Sequence, residues 1–73
     1  MISIGIDVGS VAAKIAAYDG EQLIGTDLLP TGWSPKSVGE QLLEEILQKT
    51  NTPKNMIKSI VGTGYGRVSL PFV

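Results

Sequence analysis

The sequence predicts a small α/β domain in which three antiparallel strands are followed by a crossover helix and a fourth strand. Three observations lead to this prediction. Apolar and polar residues alternate at the start of the chain, an Asp-Gly pair separates two further apolar stretches, and helical spacing of apolar residues begins only in the second half. A chain of 73 residues has room for one core of marginal size.

The first strand is predicted by isoleucines at every second position from Met1 to Asp7. Strict alternation of this kind is typical of a strand that buries one face. A turn over residues 8–10 is too short for a crossover, so the second strand, expected over 12–18, runs antiparallel to the first.

The third strand is expected near residues 21–29. Asp19-Gly20, which precedes it, is a strong signal for a tight hairpin because glycine tolerates the backbone conformation that such turns need. We expect Leu23 and Ile24 of this strand to lie in the core. The first half of the chain thus predicts an antiparallel meander.

The second half predicts a helix and a fourth strand. Ser34 and Pro35 are typical of a helix start, because serine caps the N-terminus and proline is tolerated at the first helical position. Thr50 to Pro53 ends the helix, and the fourth strand is expected over 58–62. A helical crossover allows that strand to lie parallel to another strand of the same sheet. The apolar face of the helix consists of Val38, Leu42, Leu43, Ile46 and Leu47.

Composition argues against several kinds of function. Six basic and seven acidic side chains are spread along the chain for a net charge of −1, so no basic patch supports nucleic-acid binding. The absence of cysteine and histidine removes disulfides, thiolate metal sites and histidine bases from this chain. No apolar run approaches the roughly 20 residues of a membrane span. We expect a soluble, cytoplasmic protein that binds neither nucleic acid nor membranes.

Two glycine-containing segments each lie at the end of a predicted strand: GIDVGS over residues 5–10 and GTGYGR over residues 62–67. Ligands bind at the C-terminal ends of strands in open α/β sheets. Gly64 and Gly66 would let the backbone approach a phosphate, and Arg67 would add a positive charge. Each segment alone is explained equally well as a tight turn. Their position at one edge would favour ligand binding.

The first segment resembles the first phosphate-binding segment of the actin-like ATPase superfamily, in the form Asp7-x-Gly9-Ser10-x-x-x-Lys14. Its combination with TGYGR one helix later resembles the activators of 2-hydroxyacyl-CoA dehydratases and the related ATPase subunits of benzoyl-CoA reductase. The resemblance covers all 73 residues but only the beginning of a family member. It implies the N-terminal part of one ribonuclease H-like lobe, with the fourth strand parallel to the first.

The resemblance implies a role for each residue of the first segment. Asp7 would be catalytic by orienting the water shell of a nucleotide-bound Mg²⁺, a cation that dehydrates reluctantly. Gly9 would leave space, Ser10 and nearby N–H groups would face the phosphates, and Lys14 would add a point charge. Val11 would lie at the nucleotide where family members commonly carry threonine. An Asx turn at Asp7 and a solvated Lys14 are the alternatives.

The resemblance also implies a parent protein that hydrolyses ATP as a homo-oligomer and passes an electron to an acyl-CoA dehydratase or reductase. Its cofactors would be ATP, Mg²⁺ and an iron–sulfur cluster, and this chain has no cysteine to hold the cluster. We expect the 73 residues to be a fragment that is inactive alone. The alternatives are a fragment of a small-molecule kinase, such as an acetamido-sugar kinase, and a free-standing interaction module that uses a sheet edge.

Overall fold

The computed structural model describes residues 1–32 and 35–64, apart from the side chains of residues 35, 63 and 64. A short 3-10 turn precedes the last strand. The elements in chain order are β1 (Ile2–Val8), β2 (Ala12–Asp19), β3 (Gln22–Pro30), α1 (Pro35–Lys49), the 3-10 turn (Lys54–Met56) and β4 (Ile57–Gly64).

The four strands form one sheet in the order β3-β2-β1-β4. β2 is antiparallel to both β1 and β3, whereas β4 is parallel to β1. The predicted meander, crossover helix and parallel fourth strand are therefore confirmed. The predicted strand boundaries differ from the observed ones by at most two residues, and the predicted cap Ser34 lies outside the described residues.

The core lies between one face of the sheet and α1. The isoleucines of β1 and Val8 point to that face, where they pack with the predicted apolar face of the helix. Complete burial of each such side chain contributes about 1.5–3 kcal/mol. Because side chains alternate along a strand, Ser3, Gly5 and Asp7 lie on the opposite face, which no described element covers. No helix in the described ranges is long and apolar enough to cross a membrane.

The prediction that Leu23 and Ile24 belong to the core is wrong, because these side chains are 51% and 36% exposed. A β-bulge explains the difference. Tyr18 is paired with Leu23 but Ala17 with Gly25, so Ile24 is an extra residue in β3. The bulge shifts the alternation along this strand and leaves both large side chains outside the contact with α1.

Gly25 marks a close approach between the sheet and the end of α1. A Cβ atom at this position would lie 2.7 Å from Thr50 Cγ2 and 3.3 Å from Ile46 Cδ1. The Thr50 side chain is held by its hydroxyl, which donates a 2.7 Å hydrogen bond to the Ile46 carbonyl. The absence of a side chain at Gly25 therefore allows the helix end to pack on β3.

Candidate functional site

The described parts of the two glycine-containing segments lie next to each other where β1 and β4 end. Because β1 and β4 are parallel, their C-terminal ends meet, and Asp7 and Val8 are paired with Thr63 and Gly64. This arrangement brings the end of GIDVGS to the start of GTGYGR. The remaining predicted binding residues of the second segment, Gly66 and Arg67, lie outside the described residues.

The turn between β1 and β2 is tight. The Gly9 N–H donates a 3.0 Å hydrogen bond to the Ala12 carbonyl, which leaves Ser10 and Val11 at the tip. A Cβ atom on Gly9 would lie 3.1 Å from that carbonyl oxygen, closer than an ordinary contact. Both tip residues are exposed, and Val11 is 81% exposed. The glycine therefore permits a compact turn that presents its tip to solvent.

Thr31 anchors this turn from the residue that follows β3. Its hydroxyl donates a 2.7 Å hydrogen bond to the Gly9 carbonyl, and its N–H donates a 3.0 Å hydrogen bond to the Val11 carbonyl. The side chain is buried, at 2% exposure. Sequence reasoning missed this residue, because a threonine after an apolar strand looks like an ordinary loop residue. Only the contact across 22 residues reveals its position beside the turn.

Asp7 and Lys14 lie side by side on the face of the sheet opposite α1. They are paired across β1 and β2, and both side chains are exposed. Within the described part of the chain, the Asp7 carboxylate takes part in no hydrogen bond or ion pair. An exposed, unpaired carboxylate next to a glycine turn is free to accept hydrogen bonds from metal-bound water.

A broad open depression of about 730 Å³ lies on this face. The middle of the depression is recessed because Gly5 and Ala16, which are paired on neighbouring strands, have little or no side chain. Asp7 and Lys14 supply opposite charges, and the rest of the wall combines larger apolar side chains with Thr26, Asp27 and Lys49. The residues that line it include Gly5, Asp7, Lys14, Ala16, Tyr18 and Val61.

No protein-family model matches the chain. Curated proteins nevertheless include relatives that match more than nine-tenths of this chain. The 2-hydroxyisocaproyl-CoA dehydratase activator of Clostridioides difficile is 31% identical over 70 residues, which are 94% of this chain and 26% of the relative. The (R)-2-hydroxyglutaryl-CoA dehydratase activating ATPase of Acidaminococcus fermentans is 33% identical over 69 residues, again 26% of that protein. The chain thus spans about a quarter of the length of these relatives.

Solved structures agree with the sequence comparison. The Clostridium difficile activator with bound ADPNP has a TM-score of 0.82, and component A of the Acidaminococcus fermentans (R)-2-hydroxyglutaryl-CoA dehydratase has a TM-score of 0.83. Both are 30% identical to this chain and match 94% of it. The match covers 26% and 27% of those chains, respectively. Over nearly its whole length, this chain is therefore similar in sequence and in fold to two activators of 2-hydroxyacyl-CoA dehydratases.

Proposed function

We propose that residues 7–14 form the first phosphate-binding segment of an ATP-hydrolysing activator. That activator would drive electron transfer to an acyl-CoA dehydratase or reductase. The observation that carries the proposal is the position of the Gly9–Ala12 turn. It lies where the parallel strands β1 and β4 end, two residues after Asp7, whose carboxylate is unpaired among the described residues. Strand ends of this kind are the usual ligand sites of open α/β sheets.

Two groups at this edge suit a magnesium-bound nucleotide. The Asp7 carboxylate can orient metal-bound water, since Mg²⁺ usually keeps several waters and contacts few carboxylates. The tip of the turn offers backbone N–H groups at Ser10 and Val11 to phosphate oxygens. When bound, Mg²⁺ would neutralise charge on the terminal phosphates. The chain's own residues bind the phosphates and hold the metal's water in place.

Lys14 provides a positive charge beside Asp7, at the paired position of the neighbouring strand. A lysine ammonium acts as a point charge on a flexible stem, so it can reach a phosphate near the turn from an exposed strand position. Gly64, next to Val8 at the end of β4, would allow the backbone to approach the same ligand. Gly66 and Arg67 are proposed to complete the second segment.

The relatives support this assignment. One of them is named as an activating ATPase, and the activator from Clostridium difficile was solved with bound ADPNP. We further propose that the complete protein is cytoplasmic, forms a homo-oligomer and acts on a dehydratase or reductase component. The implied iron–sulfur cluster does not fit this chain, which contains no cysteine, so its thiolate ligands would come from elsewhere in the complete protein.

A chimera tests the proposal, with this chain replacing the matched quarter of the Clostridioides difficile activator. We expect the chimera to hydrolyse ATP. The substitution Asp7→Asn should lower kcat by about 100-fold or more, as occurs when one electrostatic contact to the reacting groups is lost. Because Asp7 is exposed, the thermal midpoint should barely change.

Asp19→Asn provides the matched control. Asp19 is also exposed, but it lies at the opposite end of the β1–β2 hairpin, 3.6 Å from the N-terminal amine. This variant should hydrolyse ATP at the rate of the unaltered chimera. If Asp7→Asn behaves like Asp19→Asn, then Asp7 is a turn residue and the proposed function is wrong.

A further inference from the structure

We propose that Thr31 is a positioning residue for the phosphate-binding turn. Its hydroxyl holds the Gly9 carbonyl in the orientation that directs the Ser10 N–H toward a bound phosphate. This inference rests on the proposed function and deepens it, because it assigns a task to a residue outside both glycine-containing segments. Thr31 itself would touch neither phosphate nor metal.

Two hydrogen bonds from Thr31 fix the turn at both sides of its tip. The hydroxyl binds the Gly9 carbonyl at 2.7 Å, and the backbone N–H binds the Val11 carbonyl at 3.0 Å. Ser10 lies between these two carbonyls. Both peptide oxygens therefore point toward the same buried threonine, and neither can rotate without loss of a bond.

Because the peptide between Gly9 and Ser10 is planar, holding the Gly9 carbonyl also fixes the direction of the Ser10 N–H. The carbonyl of one residue and the N–H of the next point in opposite directions across a trans peptide, and the described residues contain no cis peptide. With the Gly9 carbonyl held by Thr31, the Ser10 N–H must point away from it. No described residue accepts a hydrogen bond from this N–H. It is a donor available to a ligand.

Packing alone does not account for a hydroxyl at this position. Thr31 is only 2% exposed, and valine would fill nearly the same volume. A buried hydroxyl has lost its hydration, and only its bond to the Gly9 carbonyl makes it tolerable there. A hydroxyl at this buried position is explained if the site depends on the orientation of the Gly9 carbonyl.

The first experiment measures the turn in this chain by amide hydrogen exchange. Thr31→Val removes the hydroxyl and keeps the shape. The control Thr50→Val removes a hydroxyl bond of equal length, from Thr50 to the Ile46 carbonyl at the end of α1, together with a 2.9 Å hydrogen bond between the hydroxyls of Thr50 and Thr52. We expect the Gly9 amide to exchange at least about tenfold faster in Thr31→Val, because the turn opens locally. In Thr50→Val the Gly9 amide should exchange at the same rate as in the unaltered chain.

The second experiment measures ATP hydrolysis in the chimera. Thr31→Val should raise the KM for ATP by about tenfold, the range expected when one hydrogen bond no longer orders a donor. Thr31→Ser keeps the hydroxyl and should restore KM to near that of the unaltered chimera. Thr50→Val should leave KM unchanged. A merely structural role for Thr31 would give Thr31→Val and Thr50→Val the same KM.

Each outcome decides one point. Unchanged Gly9 exchange in Thr31→Val overturns the positioning role. Unchanged KM in a chimera that loses activity with Asp7→Asn overturns it too and leaves the proposed function intact. Full activity of Asp7→Asn contradicts the proposed function itself. If Thr31→Val does not fold, the unaltered chain decides: a Thr31 hydroxyl proton that exchanges as fast as that of the exposed Ser59 overturns the proposal.

Discussion

At the scale of single residues, Gly25 and Gly5 differ in the space that a side chain would find. Gly25 lies under the end of α1, where an added methyl group would meet Thr50 at 2.7 Å. Gly5 lies in the middle of β1, and a Cβ atom there would have no neighbour within 4 Å. Both are strand glycines with ordinary backbone angles. They therefore form a matched pair for a measurement of steric cost.

We predict that Gly25→Ala lowers the free energy of unfolding by about 1–3 kcal/mol, the usual cost of overpacking. Thr50 cannot turn aside without losing the bond from its hydroxyl to the Ile46 carbonyl. Gly5→Ala should change stability by less than about 1 kcal/mol, because the methyl group enters open space and the unfolded chain loses entropy. Urea denaturation of the two variants measures this difference. Equal stability would show that α1 can shift freely over β3.

Residues with short-range signals could be predicted from the sequence, whereas residues with long-range contacts could not. Asp7 and Gly9 stand in a recognisable pattern, and in the structure Asp7 lies near the end of β1 and Gly9 follows that strand directly. Thr31 contacts Gly9 only because two successive hairpins bring the end of β3 beside the turn between β1 and β2. No feature of the linear sequence specifies that meeting.

At the level of whole elements, the two edges of the sheet differ. The outer edge of β3 is protected. Lys49 donates a 2.7 Å hydrogen bond to the Thr26 carbonyl, the Asp27 carboxylate accepts one from the Leu28 N–H, and Pro30 has no N–H to offer. β4 is paired with β1 on one side, and no described strand lies on its other side. Edges left open in this way recruit other strands.

We predict that the isolated chain self-associates through β4. Val61→Lys, which adds a charge to this strand at a position 61% exposed, should weaken association. Leu28→Lys adds the same charge to the protected β3 at a position 53% exposed and should have little effect. Sedimentation from micromolar to millimolar concentration compares the three proteins. A monomeric unaltered chain at every concentration would contradict the prediction.

Element types were predictable from the sequence because each has a period. Alternation predicted β1, and helical spacing predicted α1 with its buried face. The bulge at Ile24 has no such signal. It arises from the pairing of β3 with β2 and is the physical reason why two large apolar residues expected in the core are exposed.

The molecule as a whole presents the site on an open face. Asp7 and Lys14 are exposed, and the adjoining depression is broad and open. The curated relatives are almost four times as long as the matched segment. A ligand bound here would keep much of its surface in water, so its immobilisation would be poorly compensated.

We therefore predict that the 73-residue chain binds ATP–Mg²⁺ weakly or undetectably, whereas the chimera binds it well. Isothermal titration at high protein concentration measures both affinities under the same conditions. Micromolar binding by the isolated chain would show that the rest of an activator contributes less to the nucleotide site than we propose.

A crystal structure of the chimera with ADPNP and Mg²⁺ tests the central claim most directly. We predict that the Ser10 N–H donates a hydrogen bond to a phosphate oxygen and that the Asp7 carboxylate accepts hydrogen bonds from metal-bound water. The Thr31 hydroxyl should remain on the Gly9 carbonyl. A nucleotide whose phosphates lie away from the Gly9–Ala12 turn, with Asp7 facing only solvent, would contradict the account.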